Sequence, residues 1–96
     1  MDIERLKAEA DRLSQYWEMM IDQYSVPNLR QWVVWQNRYT TSVIEKAVDA
    51  LSLRVQRRDL PHMDRTDKHK YASACMRNIA AQEAAKHRLD LMQMEM

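Results

Sequence analysis

The segment Ser42-Val43-Ile44-Glu45 begins the best-marked helix of this chain. A serine followed three residues later by a glutamate is the spacing of a capping box, in which both side chains bond backbone N–H groups at a helix start. Apolar residues then recur at helical intervals, namely Val43, Ile44, Ala47, Val48, Leu51 and Val55. This pattern predicts an amphipathic helix that ends near Arg57 and Arg58, whose positive charges suit the carboxyl end of a helix.

Upstream of this segment, two further helices are predicted. The stretch 3–24 carries apolar residues in alternating steps of three and four, and Asp2 is its expected N-cap. Pro27 ends the connection that follows, and Asn28 is expected to cap a short helix over 28–38.

Downstream, 59–65 reads as a loop, and Asp64 or Thr66 is expected to cap a fourth helix that runs from about 67 to beyond 88. The inner face of this helix is predicted to carry Tyr71, Ala74, Cys75, Asn78, Ile79 and Gln82. A Met-rich tail is predicted at 89–96. No window shows the alternation typical of strands. We therefore predict an all-α fold, a single small domain over 1–96 that consists of an amphipathic helix (1–24), a compact helical core (28–88) and a tail.

The composition excludes several classes of protein. With 96 residues and no glycine, the chain lacks phosphate-cradling glycine loops and is too short for a deep catalytic cleft. We expect no enzyme activity and no cofactor. The single cysteine, Cys75, cannot form an internal disulfide, and the acidic start does not resemble a signal peptide, so we expect a cytoplasmic protein that does not enter a membrane.

A metal site has little support in the sequence. His62, Asp64, Asp67 and His69 lie close together along the chain. However, a metal site needs convergent ligands, and these residues span a predicted loop and a helix cap. We therefore predict no metal site, and Cys75 is interpreted as apolar filler on an inner helix face.

The heptad pattern of the first helix allows two interpretations. Leu6, Leu13, Trp17 and Met20 lie on one seam, which would pack on the chain's own domain or pair with a second copy in a coiled coil. Trp35 is likewise either a core residue or an exposed residue that contacts a partner or a base.

Positive charge is concentrated in the middle of the chain. Residues 1–27 carry six acids and three bases, whereas 28–58 carry two acids and six bases. The predicted nucleic-acid-binding residues are Arg54, Arg57 and Arg58 at the end of the third helix, Lys68 and Lys70 at the start of the fourth, and Tyr71 and Arg77 beyond them. The five cations nearest the junction are expected to converge on a phosphate backbone. Tyr71 would stack on a base or, alternatively, pack in the core.

The pattern Trp32-x-x-Trp35, followed by Ile44-Glu45-Lys46-Ala47-Val48 and later by Tyr71 and Ile79, resembles a DnaD-type replication domain. Two features depart from that family, because Ile79 replaces an aromatic residue and no glycine follows Tyr39. The resemblance implies a primosome or phage replisome component that binds single-stranded or double-stranded DNA and a replicative helicase. The competing hypothesis is a small adaptor or phage-encoded inhibitor that acts through the seam of the first helix and an exposed tryptophan.

Overall fold

The computed structural model describes residues 2–57 and 63–94, with the side chains of residues 57 and 94 excepted. Most of these residues form four helices: α1 (Ile3–Met20), α2 (Leu29–Arg38), α3 (Thr41–Arg57) and α4 (Arg65–Met94). No strand occurs in either described range. The all-α prediction and the predicted number of helices are therefore confirmed.

Three of the four helices begin where their capping residues predict. Asp2, Asn28 and Asp64 each accept a hydrogen bond from the backbone N–H three residues later, at 3.2, 2.9 and 2.8 Å respectively. These bonds satisfy N–H groups that have no partner within the first helical turn.

The start of α3 differs from the prediction. Thr40 Oγ1 accepts the backbone N–H of Val43 at 3.3 Å, so Thr40 is the capping side chain. Ser42 lies within the first turn of the helix, and Glu45 bonds Arg12 of α1 instead of a backbone N–H. The predicted capping box is wrong because a good N-cap residue, two positions earlier, starts the helix first.

One helix end also differs from prediction. Helix α1 ends at Met20, whose carbonyl accepts the Ser52 hydroxyl of α3 at 2.8 Å. Asp22 then accepts the backbone N–H groups of Tyr24 and Ser25, which turns the chain toward α2. Helix α4, by contrast, continues beyond Arg88 as predicted and includes the tail residues as far as Met94.

The core is built around three tryptophans from α1 and α2. Trp17, Trp32 and Trp35 are at most 2 % exposed, and their ring centroids lie 5.3 to 6.4 Å apart. Each indole N–H donates to a serine hydroxyl at 2.8 to 3.0 Å, and the accepting residues are Ser25, Ser14 and Ser73 in that order. An unpaired buried donor costs roughly 1–3 kcal/mol, and the three serines avoid this cost by accepting hydrogen bonds from the buried indoles.

Burial settles the two interpretations of the α1 seam. Leu13 and Trp17 are fully buried in the core of their own chain, and Leu6 and Met20 are partly buried. The seam therefore packs on its own domain, and the predicted dimer contact through it is wrong. Trp35 is 2 % exposed, so the predicted adaptor surface of seam and exposed tryptophan is also wrong.

The inner face of α4 is displaced by one residue from the prediction. Ala72 and Met76 are fully buried, whereas Tyr71 and Cys75 are only partly buried. Apolar residues, alanines included, are distributed around the whole circumference of α4, so their spacing does not single out the face that packs on α3.

Candidate functional site

Helices α2 and α4 flank a groove whose floor is formed by side chains from both. Trp35 Nε1 donates to Ser73 Oγ of α4 at 2.9 Å, and its ring contacts the His69 imidazole edge-on at a centroid distance of 6.0 Å. The main packing partner of α4 is α3, on its other side. The groove therefore lies above the tryptophan core and is open to solvent.

Three adjoining depressions make up this surface, which we call the α2–α4 groove. Their volumes are about 410, 460 and 280 Å³, and Gln31 lines all three. The cations that line them are Arg30, Arg38, Arg65, Lys70 and Arg77. Uncharged donors and acceptors, including Asn28 and Ser73, lie between these cations. The groove thus presents positive charge from both of its helices.

No cation of the groove belongs to an ion pair within the described part of the chain. The described ion pairs involve Arg12, Lys46 and Lys68, and none of these residues lines the groove. Within 2–57 and 63–94, no aspartate or glutamate lines its three depressions. Such a surface attracts anions more strongly than one with interspersed acids.

His69 connects the groove to the core. Its Nε2 lies 2.8 Å from the carbonyl oxygen of Ser25, and its ring packs edge-on against Trp17 and Trp35. Burial, together with the nearby charge of Arg65, lowers the pKa of His69, although the Ser25 carbonyl opposes this shift. The imidazole is therefore a neutral floor residue near pH 7, and the arginines and lysine carry the positive charge.

Lys70 and Arg77 are the two predicted nucleic-acid-binding residues that line the groove. Arg57 and Arg58 were predicted with them, but the side chain of Arg57 and all of Arg58 lie outside the described residues.

Arg54 and Tyr71 lie on the α3 side of α4. Arg54 Nε donates to the Tyr71 hydroxyl at 2.9 Å, and the guanidinium carbon lies 5.6 Å from the centre of the Tyr71 ring. Tyr71 is partly buried against the core. Tyr71 therefore packs against the edge of the core with its ring next to the Arg54 guanidinium, which favours the core alternative over base stacking.

Lys68 has a structural partner. Its Nζ bonds Asp22 Oδ2 at 2.6 Å, and the two side chains are only 16 % and 24 % exposed. Burial alone would raise the pKa of Asp22, but hydrogen bonds from Lys68 and Ser25 outweigh it and lower the pKa to about 2. Lys68 thus fixes the loop between α1 and α2. The predicted convergence of Arg54, Lys68 and Lys70 on one surface is wrong.

The sequence interpretation missed Arg30, Arg38 and Arg65. A signal was present for α2, because Arg30, Val34 and Arg38 recur every four residues and therefore form one ridge of the helix. No local pattern placed that ridge beside α4.

The remaining chemistry of the described residues is modest. No three of their histidine, cysteine and acidic side chains are grouped as metal ligands. Asp64 caps α4, and His62 lies outside the described residues. Burial raises the pKa of the Cys75 thiol, which disfavours the reactive thiolate. None of the described helices is both long and apolar enough to span a bilayer.

Comparisons of this chain with protein-family models, curated proteins and solved structures find no match. The resemblance to DnaD-type domains therefore stays a prediction from the sequence.

Proposed function

We propose that this chain is a non-enzymatic nucleic-acid-binding protein and that the α2–α4 groove holds a phosphate backbone. The observation that carries the proposal is the set of five groove cations, none of which forms an ion pair with a described carboxylate. Lysine and arginine side chains bind phosphates through charge-assisted hydrogen bonds, and they supply most of the affinity in sequence-tolerant nucleic-acid binding.

The spread of these cations favours a polymer over a single small anion. Arg30 and Arg38 are eight residues apart on α2, about 12 Å at the helical rise of 1.5 Å per residue. Lys70 and Arg77 are seven residues apart on α4, about 10 Å. Distances of this size exceed one phosphate group and match several successive phosphates of a strand.

A narrower proposal concerns biological role. We infer a DNA-replication accessory function, in which the chain binds DNA, a replicative helicase or another primosome partner. Its support is the resemblance to DnaD-type domains at Trp32, Trp35, the segment 44–48, Tyr71 and Ile79. The groove supports phosphate binding alone and is equally compatible with RNA.

The test is the affinity of labelled single-stranded and double-stranded oligonucleotides, measured by fluorescence anisotropy over a range of salt concentrations. Five phosphate contacts predict a slope of log affinity against log salt of about −4.5 for duplex DNA and about −3.5 for a single strand. A slope near zero with both probes would contradict the proposal.

The location of the site is tested with two variants of equal net charge. Arg38→Ala/Arg77→Ala removes two groove cations, and we expect it to weaken binding about tenfold or more near 0.1 M salt. Lys7→Ala/Lys86→Ala removes two exposed cations outside the groove and serves as the control. Equal losses in the two variants would show a nonspecific charge effect and remove the groove from the site.

A further inference from the structure

The carboxyl-terminal half of α4 extends beyond the core. Helix α4 has 30 residues, and every side chain from 81 to 93 is exposed. We call 81–93 the α4 overhang; at 1.5 Å per residue it is about 20 Å long. Because most helical stability in proteins comes from packing and this segment has little of it, contact with another molecule would stabilise it.

Arg88 occupies the centre of an apolar face on this overhang. On a helix surface, the neighbours of a residue are those three and four positions away. For Arg88 these neighbours are Ala84, Ala85, Leu91 and Met92, and all four are apolar. Leu89, Leu91 and Met92 are 60, 49 and 64 % exposed. The face is therefore a small exposed apolar surface with one cation in its middle.

The two acids of the overhang lie on a different face of the helix from Arg88. Glu83 and Asp90 are seven residues apart and so share another face of the helix. Glu83 also bonds Lys46 of α3, at 2.7 Å. Neither acid is three or four residues from Arg88, so the overhang itself offers its guanidinium no carboxylate partner.

We propose that the α4 overhang docks an amphipathic helix of a partner protein that places a carboxylate opposite Arg88. Apolar side chains of that helix would cover Leu91, Met92 and the two alanines. Its aspartate or glutamate would accept a bidentate hydrogen bond from the Arg88 guanidinium. Covering Arg88 without supplying this acid would leave an unpaired buried charge, which strongly disfavours binding, so the central charge selects the partner.

Two other occupants, a second copy of the chain and a phosphate backbone, fit this face less well. A second copy packed face to face would bring two Arg88 guanidinium groups together, and like charges disfavour that arrangement. A phosphate backbone would leave the exposed leucines and methionine of the face without apolar contact. The surface is independent of the α2–α4 groove, which lies alongside the first half of α4.

The size of the face sets the expected strength. Four turns of helix bury less than the roughly 1,200 Å² typical of stable complexes, so the interaction should be weak and reversible. We expect dissociation constants in the micromolar range or above.

The first experiment measures self-association by sedimentation velocity. We expect the wild-type chain to be monomeric and Arg88→Leu, which makes the face uniformly apolar, to self-associate. The variant Lys86→Leu adds the same side chain outside the face and should stay monomeric. A wild-type dimer that Leu89→Ser/Met92→Ser disrupts would identify a second copy as the occupant, and a monomeric Arg88→Leu would show that the face does not dock helices. Either result overturns the proposal.

The second experiment uses two designed helical peptides of about three heptads, identical except for a central glutamate or lysine on their leucine-alanine face. The full chain should bind the glutamate peptide at least tenfold more tightly, and Arg88→Glu should reverse the preference. Equal binding of both peptides, or none, overturns the proposal. Arg38→Ala/Arg77→Ala should leave peptide binding unchanged, so a failure here is distinguishable from a failure of the nucleic-acid proposal.

Discussion

Helix α4 carries lysines on two of its sides, and the environments of these lysines differ. Lys68 is largely buried and bonds Asp22, whereas Lys70, two residues later, is exposed in the α2–α4 groove and forms no ion pair within residues 2–57 and 63–94. The same residue type therefore stabilises the fold at one position and is available to bind phosphate at the other. The local sequence Lys68-His69-Lys70 does not distinguish these roles; the elements that pack on α4 do.

The largest effect is expected at the residue that joins α2 to α4 beneath the groove. Trp35→Ala removes a buried indole and leaves Ser73 without its donor. We expect a loss of about 3–5 kcal/mol in the free energy of unfolding, measured by urea denaturation. The exposed ridge residue Val34→Ala is the control and should cost well under about 1 kcal/mol. Similar values for the two variants would mean that Trp35 is not a core residue.

A smaller effect is expected at Lys68, which forms an ion pair with Asp22. Lys68→Met keeps the length of the side chain but leaves the half-buried Asp22 carboxylate without its cation. We expect a loss of about 2 kcal/mol, below the range for fully buried pairs because both side chains keep some contact with water. Urea denaturation near pH 7 measures it. Unchanged stability would show that this pair does not hold the loop between α1 and α2.

Acid should weaken the same contact. The pKa of Asp22 is lowered from 3.8 to about 2 in the folded chain, so its ionised form favours folding. The resulting stability, at most about 2 kcal/mol, is fully present above pH 4 and is lost as the pH falls toward 2. Comparison of the wild type with Asp22→Asn between pH 5 and 2 isolates this contribution. An identical acid dependence in both proteins would contradict the lowered pKa.

Much of the fold could be predicted from the sequence because its signals are local. Asp2, Asn28 and Asp64 cap their helices by bonding an N–H three residues away, and the spacing of Leu13 and Trp17 marks a buried seam. The capping box at Ser42 failed because two adjacent capping signals compete and only one can begin the helix.

The candidate site was only partly predictable because it depends on contacts between distant segments. Lys70 and Arg77 were identified, but the charge of Lys68 is cancelled by Asp22, 46 residues away along the chain. Tyr71 and Trp35 have the residue types of binding surfaces, yet Arg54 covers one and the core encloses the other. Composition and spacing contain no information about such pairings.

The smallest effect on stability is expected for Lys70, which lies in the α2–α4 groove, and it contrasts most sharply with the effect at Lys68. Lys70→Met is expected to change the free energy of unfolding by less than about 0.5 kcal/mol, because Lys70 is exposed. Its effect should appear in binding instead. Urea denaturation of Lys70→Met and Lys68→Met under the same conditions measures the difference between their free energies of unfolding. A large stability loss in Lys70→Met would mean that Lys70, like Lys68, has a structural role.

The decisive measurement is the salt dependence of oligonucleotide affinity for Lys70→Met and Lys68→Met, both kept under conditions where they are folded. Phosphate binding in the groove predicts that Lys70→Met binds more weakly and that its log–log salt slope is smaller in magnitude by about one, whereas Lys68→Met keeps the wild-type slope. If the two variants bind equally, or if Lys68→Met alone loses affinity while folded, the α2–α4 groove is not the phosphate site.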